Sequence, residues 1–278
     1  MIRIITDSAA DFEPAEYKKL NIACIPLTVR VGDAEDQETV NLSKEQFYAL
    51  VQETGDFPKT SQPSPEIFLG MIEEAKSCGD DIIYFSLSSA LSGTYQTDLM
   101  TTEMAEYDRC FVVDSRNATG GQRMILEFAA KLRDEGKSAE EIIAGVESIR
   151  DRIVLYACMV TLEYLYRGGR ISHTVYAIGS LAQIKPLILV DQEGRVEGPA
   201  KARGMRKGMD YLCKRLDQQK PDENFPIYAM YTENRANGEA LAKKMRSSGV
   251  EVRDILNVGA AIGSHIGPDA CGLVYVAK

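Results

Sequence analysis

Predicted strands and helices alternate along the first half of this sequence, and this order limits the possible fold more than any other feature. Short apolar runs predict the strands, and longer amphipathic segments predict the helices. The strands are at 2–5, 23–31, 81–86, 109–114 and 153–160, and the helices at 65–79, 92–106, 119–135 and 138–151. Strands separated by helices form βαβ units with a mostly parallel sheet. We therefore predict an N-terminal α/β domain.

The second half has a different order of elements. Residues 187–197 predict a β-hairpin with its turn at Asp191–Gly194. The elements that follow are strands at 227–231, 250–258 and 272–277 and a helix at 237–246. This mixture is typical of an α+β unit. The predicted fold class is therefore α/β, with a parallel-sheet domain at 1–160 and an α+β domain at 161–278.

Several helix starts are marked by local chemistry. Ser43 with Gln46, and Ser138 with Glu141, have the spacing of a capping box, in which each side chain bonds the other residue's backbone N–H. Ser64 precedes Pro65, and proline is favoured at the first position of a helix. Three helices are therefore predicted to begin at these points.

Hydroxyl-rich tracts follow the strands of the first half, at 6–8, 86–94 and 114–121. The carboxyl ends of parallel strands, where helix N-termini converge, are the usual ligand site of open α/β sheets. The alternative is that each hydroxyl is only a helix N-cap, but a cap needs one hydroxyl and these tracts carry several. The candidate ligand-binding residues of the middle tract are Ser92, Gly93 and Thr94.

Two other tracts carry candidate binding residues. Thr60 and Ser61 precede the predicted helix start, and capping does not require them. The tract 259–272 places His265 beside Ser264 within a glycine-rich segment, which predicts a loop that binds a small anion. The alternative for this tract is a glycine-rich turn with an incidental histidine.

Basic residues occur in two notable places. Residues 201–207 contain four cations, including Arg203, Arg206 and Lys207, and such a cluster is most often a solvated helix face. Arg167 and Arg170 flank a pair of glycines, where they would either bind an anion or belong to a hinge between the domains.

Composition excludes several classes of protein. The net charge of −9 disfavours nucleic acid as a partner. The six cysteines lack the spacing of a zinc site, so we predict no metal and no cofactor. No apolar run approaches the roughly 20 residues that span a bilayer, and the first residues lack a signal-peptide pattern. We therefore expect a cytoplasmic protein without stable membrane insertion.

Seven tracts in this order resemble the DegV family of bacterial fatty-acid-binding proteins. They lie at 6–11, 60–64, 92–96, 113–122, 162–165, 167–172 and 263–268 and span almost the whole chain. Three positions differ from the family's usual residues: Ala9 and Ser264 each replace a threonine, and Asp269 replaces a small residue. Ser264 keeps the hydroxyl, whereas Asp269 adds a negative charge near the expected anion site.

The resemblance implies a long-chain fatty acid held between the two domains, with its carboxylate bound by Thr60, Ser92, Arg203 and His265. It also implies that the protein is a carrier without enzymatic activity, which presents the bound acid to the catalytic subunit of a fatty acid kinase. Hydroxyls, an imidazole and a guanidinium are suitable donors for a carboxylate.

Two other functions remain as alternatives. A lipid hydrolase or acyltransferase would use Ser92 as nucleophile and His265 as base, with Asp114 orienting the ring, although the sequence has no GxSxG motif. A small-molecule sensor is the other alternative, but the sequence shows no DNA-binding or output module.

Overall fold

The computed structural model describes residues 1–179 and 183–278 and confirms the predicted α/β fold class. Within these ranges the strands are β1 Ile2–Asp7, β2 Ile22–Ile25, β3 Thr28–Val31, β4 Ala34–Gln37, β5 Lys59–Ser61, β6 Asp81–Ser86, β7 Cys110–Asp114, β8 Ile153–Cys158, β9 Ile184–Val190, β10 Val196–Arg203, β11 Tyr228–Tyr231, β12 Asp254–Asn257 and β13 Cys271–Val276. The helices are α1 Pro14–Lys19, α2 Lys44–Thr54, α3 Pro65–Cys78, α4 Thr94–Ala105, α5 Thr119–Asp134, α6 Ala139–Arg150, α7 Glu163–Arg167, α8 His173–Gly179, α9 Met205–Gln218, α10 Arg235–Ser247 and α11 Ala260–Ile266.

The N-terminal sheet is parallel and has the strand order β2-β1-β6-β7. Side chains alternate between its two faces, as the pleat of a strand requires. Ile4 and Phe85 pack on one face with residues of α5 and α6, whereas Ile5 and Tyr84 pack on the other with residues of α3. Both faces are therefore buried, which explains the continuous apolar runs of β1 and β6.

The first half also contains a small antiparallel sheet with the strand order β4-β3-β5. The sequence predicts a single strand at 23–31, but the structure divides it into β2 of the parallel sheet and β3 of the small sheet. Pro26 lies at the break, where a residue without a backbone N–H interrupts strand pairing. The small sheet carries Thr60 on β5.

The C-terminal sheet is mixed, with the strand order β10-β9-β8-β13-β11-β12. Its strand β8 falls within the predicted first domain, yet it pairs with β9 and β13 rather than with the parallel sheet. Two consecutive helices, α5 and α6, precede β8 and lead the chain from one sheet to the other. Assignment of a strand to a sheet depends on such long-range pairing, which an apolar run does not reveal.

Local signals predict several boundaries correctly. Both predicted capping boxes are present, at Ser43 with Gln46 and at Ser138 with Glu141. The hairpin turns at Asp191, whose carbonyl accepts a hydrogen bond from the Gly194 N–H at 2.9 Å. In contrast, the tract predicted as an anion-binding loop contains the short helix α11. None of the helices described in residues 1–179 and 183–278 combines the length and apolar character needed to cross a membrane.

Candidate ligand-binding site

A cavity of about 300 Å³ lies between the C-terminal sheet and the elements that cover the carboxyl end of the parallel sheet. Most of its wall is apolar and comes from both halves of the chain. These apolar residues include Leu27, Leu87, Leu91, Leu155, Leu165, Ile188, Val190, Val196, Met230, Val258, Ile262 and Ile266. Polar side chains line it as well: Thr60, Ser61, Gln62, Ser92, Arg170 and His265, together with Thr119, Tyr231 and Thr232. The cavity therefore suits an amphipathic ligand.

His265 lies in the last turn of α11, and its ring faces the cavity. Its Nε2 is 2.9 Å from the Thr60 hydroxyl oxygen, which joins α11 to β5. Gly168 packs directly against the ring, because a Cβ at this position would lie only 2.3 Å from Nδ1. Burial and, to a smaller extent, the charge of Arg170 lower the pKa of His265 from its ordinary 6.5 to about 4. The imidazole is therefore neutral at pH 7.

Arg170 is the guanidinium of this site. It is half-buried and follows α7, and its Nε donates a hydrogen bond to the Leu91 carbonyl at 3.0 Å. One of its terminal nitrogens donates to the Gly168 carbonyl. Within the described part of the chain no carboxylate pairs with it, and burial lowers its pKa. Arg170 is therefore a positive charge, not neutralised by the protein, at the edge of an apolar cavity.

The turn that leads into α4 supplies a hydroxyl. The Ser92 Oγ is 2.8 Å from the Thr94 hydroxyl and accepts a hydrogen bond from the Thr94 N–H. Gly93 allows the Gln62 side chain to lie across the turn, since a Cβ at this position would be 2.4 Å from its Nε2. The Thr97 hydroxyl holds this side chain by donating to the Gln62 Oε1 at 2.6 Å.

The structure brings five of the eight predicted binding residues to the cavity wall: Thr60, Ser61, Ser92, Gly93 and His265. Thr94 and Ser264 lie behind the wall, and the Ser264 hydroxyl donates to the Ala260 carbonyl within its own helix. Arg203 is not at the cavity. It ends the edge strand β10, where alternation buries Ala202 and leaves Arg203 exposed.

Arg170 is the arginine that reaches the cavity, and its role is not evident from the sequence alone. The pair of glycines between Arg167 and Arg170 predicted either an anion site or a hinge. In the structure, Arg167 pairs with Glu163 and lies over the Phe57 ring, whereas Arg170 lines the cavity. The bond of Arg170 to the Leu91 carbonyl joins residues far apart in sequence, and no local pattern reveals it.

The residues of the hydrolase alternative are not assembled as a triad. Ser92 bonds to Thr94, and the His265 Nε2 bonds to Thr60. Among the described residues the His265 Nδ1 has no hydrogen-bond partner, and the Asp114 carboxylate accepts instead from Ser89. A triad would require a base bonded to the serine and a carboxylate bonded to the base. Residues 1–179 and 183–278 contain no group of three or more potential metal ligands.

Comparison with known proteins places this fold and cavity in a family. A family model described as an uncharacterised protein of the DegV family matches residues 1–278. The chain belongs to the DegV family. A DegV domain-containing protein of Caldanaerobacter subterraneus is 33% identical over 279 residues, which cover 100% of this chain and 99% of the relative.

Solved structures of DegV family proteins share the whole fold. A DegV family protein from Thermus thermophilus, described by its fatty acid binding, is 30% identical with a TM-score of 0.89 and covers 100% of this chain and 99% of its own. DegV of Bacillus subtilis, described as a fatty acid binding protein, is 27% identical with a TM-score of 0.87 at the same coverage. The family and fold implied by the sequence resemblance are thereby confirmed.

Proposed function

We propose that this DegV family protein binds a long-chain fatty acid, with its acyl chain in the cavity and its carboxylate beside Arg170 and His265. The observation that carries the proposal is Arg170, a half-buried guanidinium without a carboxylate partner in the described ranges, beside the neutral ring of His265. The fatty acid binding described for the Thermus thermophilus and Bacillus subtilis proteins supports it.

The carboxylate is held by four groups in this proposal. Arg170 supplies the charge, and Thr60 and Ser92 supply hydroxyl donors. A neutral His265 that donates from Nε2 to the Thr60 oxygen leaves the Thr60 proton free to point into the cavity. The imidazole thus acts through Thr60, and a carboxylate that comes near it also raises its pKa. Arg170 takes the place that the sequence resemblance implied for Arg203.

The apolar wall supplies the affinity. Each buried methylene contributes about 0.8 kcal/mol of transfer free energy. A chain of about 16 carbons therefore contributes more than about 10 kcal/mol before the costs of ordering and association are subtracted. Such binding needs no covalent bond to the protein, as the proposed role of a carrier requires.

Transfer of the bound acid to a kinase is the second part of the proposal. A fatty acid kinase would phosphorylate the carboxylate while the acyl chain stays in the cavity. All four cations of the cluster at 201–207 are exposed: Lys201, Arg203, Arg206 and Lys207. This cluster contrasts with the acidic balance of the whole chain. None of these cations lines the cavity, so they can contact a partner without giving up a contact to the ligand, although Lys207 also pairs with Asp210 at 3.9 Å.

Analysis of co-purifying lipid tests the proposed ligand. The protein is purified from a bacterial host without detergent, and organic extracts are analysed by mass spectrometry with an internal fatty-acid standard. We expect a long-chain fatty acid at close to one equivalent. Less than about a tenth of an equivalent across several preparations, with no uptake of added fatty acid by the folded protein, contradicts the proposal.

A further inference from the structure

Two buried carboxylates lie behind the cavity and contact the helix that carries His265. Asp11 Oδ1 accepts a hydrogen bond from the Gly259 N–H at 2.9 Å, and Glu38 Oε1 accepts one from the Ala261 N–H at 3.2 Å. Both acidic residues are 2% exposed. The N–H groups at the start of a helix have no partner within the helix. The two carboxylates therefore bind the free end of α11.

The carboxylates belong to the N-terminal part of the chain, whereas α11 belongs to the C-terminal part. Asp11 follows a 3-10 turn after β1, and Glu38 follows β4, where its Oε2 accepts from the Ser8 hydroxyl at 2.7 Å. The helix is seven residues long, so its two ends are close together. A displacement of its start consequently moves its last turn, where the ring of His265 meets Thr60.

The two carboxylates approach the backbone of Gly259 closely. A Cβ on this residue would lie 2.2 Å from Glu38 Oε1 and 2.6 Å from Asp11 Oδ1. The only side-chain cation bonded nearby is Lys44 among the described residues, and it donates to the Asp11 carbonyl and to Glu13 rather than to either carboxylate of the pair. The second oxygen of Asp11, Oδ2, is buried without a hydrogen-bond partner in the described ranges.

We propose that Asp11 and Glu38 are positioning residues, which hold the start of α11 and thereby set His265 in place for the ligand carboxylate. This inference rests on the proposed function of the site. The pair acts through α11 and does not touch the ligand, because neither carboxylate lines the cavity.

Burial favours a protonated carboxyl in this pair. Burial raises the pKa of Asp11 to about 6, and burial together with the Asp11 charge raises the pKa of Glu38 to about 7. Above pH 7 both carboxylates are ionised beside Gly259, and their repulsion opposes the arrangement that holds α11. The second negative charge also opposes an anionic ligand. Protonated Glu38 therefore favours binding, so the affinity falls as the pH rises through about 7.

Several other ionisable groups lie near the pair. Those that face it from neighbouring elements are Asp7, Tyr17, Cys24, Lys44, Tyr48 and Arg123. Burial raises the pKa of Asp7 to about 6, of Cys24 to about 12 and of both tyrosines well above their ordinary 10. At the other end of α11, burial lowers the pKa of Arg170 and raises that of Tyr164. The raised pKa of Glu38, about 7, lies within the range of the experiment, pH 6.5 to 8.5.

The test uses Glu38→Gln, which keeps a side-chain oxygen for the Ala261 N–H but cannot ionise. The matched control is Asp98→Asn, because Asp98 is also buried, with a pKa raised to about 8 by burial, but bonds to Ser86 and not to α11. The chain has two histidines, so the NMR signals of the His265 ring are easily separated from those of exposed His173. His265 itself titrates near pH 4, outside the range of the experiment.

The first measurement needs no ligand. We expect the His265 ring signals to shift with pH between 6.5 and 8.5 in the wild-type protein and in Asp98→Asn, and to stay constant in Glu38→Gln. Because co-purifying lipid is removed before this measurement, the result is independent of whether the protein binds a fatty acid. Equal pH responses of His265 in the wild-type protein and in Glu38→Gln overturn the positioning proposal.

The second measurement is the Kd for one fatty acid over the same pH range, expressed as the ratio of variant to wild type so that titration of the ligand cancels. A difference of about one pKa unit in Glu38 between empty and bound protein corresponds to about a tenfold weaker affinity of the wild type at pH 8.5. We expect the affinity of Asp98→Asn to fall in the same way as the pH rises. The affinity of Glu38→Gln should not change over this range. Parallel profiles for Glu38→Gln and the wild type overturn the proposal, whereas failure of the wild type to bind overturns the proposed function alone.

Discussion

Substitution of one arginine distinguishes the site seen in the structure from the site expected from sequence. Arg170→Met keeps the aliphatic part of the side chain and removes the guanidinium beside His265. A hydrogen bond to a charged group contributes about 1.5–3 kcal/mol. Because no carboxylate of the described ranges competes for this guanidinium, we expect the full contribution to be lost, which weakens fatty-acid binding by about 10- to 150-fold.

The assay compares two ligands and two variants. Calorimetric or fluorescence titration gives the Kd for a fatty acid and for the corresponding fatty alcohol, which has the same chain but no charge. Arg170→Met should weaken binding of the acid and leave binding of the alcohol within about threefold, since the apolar wall is unchanged. Arg203→Met is the matched control, and its exposed side chain predicts no change for either ligand.

Two results would refute this reasoning. Equal loss of acid and alcohol binding in Arg170→Met would show that the residue supports the shape of the cavity and not the charge of the ligand. A larger loss in Arg203→Met than in Arg170→Met would show that Arg203 reaches the carboxylate after all. Thermal unfolding of each variant separates either result from a general loss of stability.

Three further results are expected. His265→Gln, which can still donate a hydrogen bond, should weaken fatty-acid binding by about 1–2 kcal/mol in a titration. If the wild-type protein hydrolyses esters and this variant does not, His265 acts instead as a general base. The lowered pKa of His265 means that its neutral ring stabilises the empty protein above pH 6.5 and that this stabilisation, about 3 kcal/mol, is lost as the pH falls toward 4. Unfolding by denaturant near pH 7.5 and 4.5 should therefore show a greater loss in the wild type than in His265→Gln, and equal losses would contradict the assignment. Arg206→Ala combined with Lys207→Ala should leave lipid binding intact and slow phosphorylation by the kinase, whereas loss of lipid binding would place this cluster in the ligand site.

The sequence predicted those parts of the fold that depend on neighbouring residues. The pairs Ser43 with Gln46 and Ser138 with Glu141 start helices because both partners lie within one turn. The hairpin turn at Asp191 and the helix start at Pro65 are equally local. The sequence also singled out Thr60, Ser92 and His265, which line the cavity, because hydroxyls and a histidine in glycine-rich or helix-entry tracts are unusual. Their role in binding remains a prediction.

The parts of the fold and site that the sequence did not predict depend on long-range packing. Arg203 and Arg170 both lie in basic tracts. Strand alternation in β10 exposes Arg203, whereas Arg170 lines the cavity and donates to the Leu91 carbonyl. The carboxylates of Asp11 and Glu38 gave no sign of a role near α11, because their partners are more than two hundred residues away. Such contacts arise after the elements have packed, and no local pattern encodes them.

The pairing of β8 with β13 bears on the order in which the molecule is built during synthesis. Ile153 lies opposite Val276, and β13 separates β8 from β11 within the sheet. The parallel sheet can form once β7 has left the ribosome, but the mixed sheet stays divided until its last strand is available. Contacts between such distant residues form slowly, because a long loop must close first. A nascent chain therefore exposes the apolar wall of the future cavity for most of its synthesis, and the cavity closes only with the final residues of the sheet.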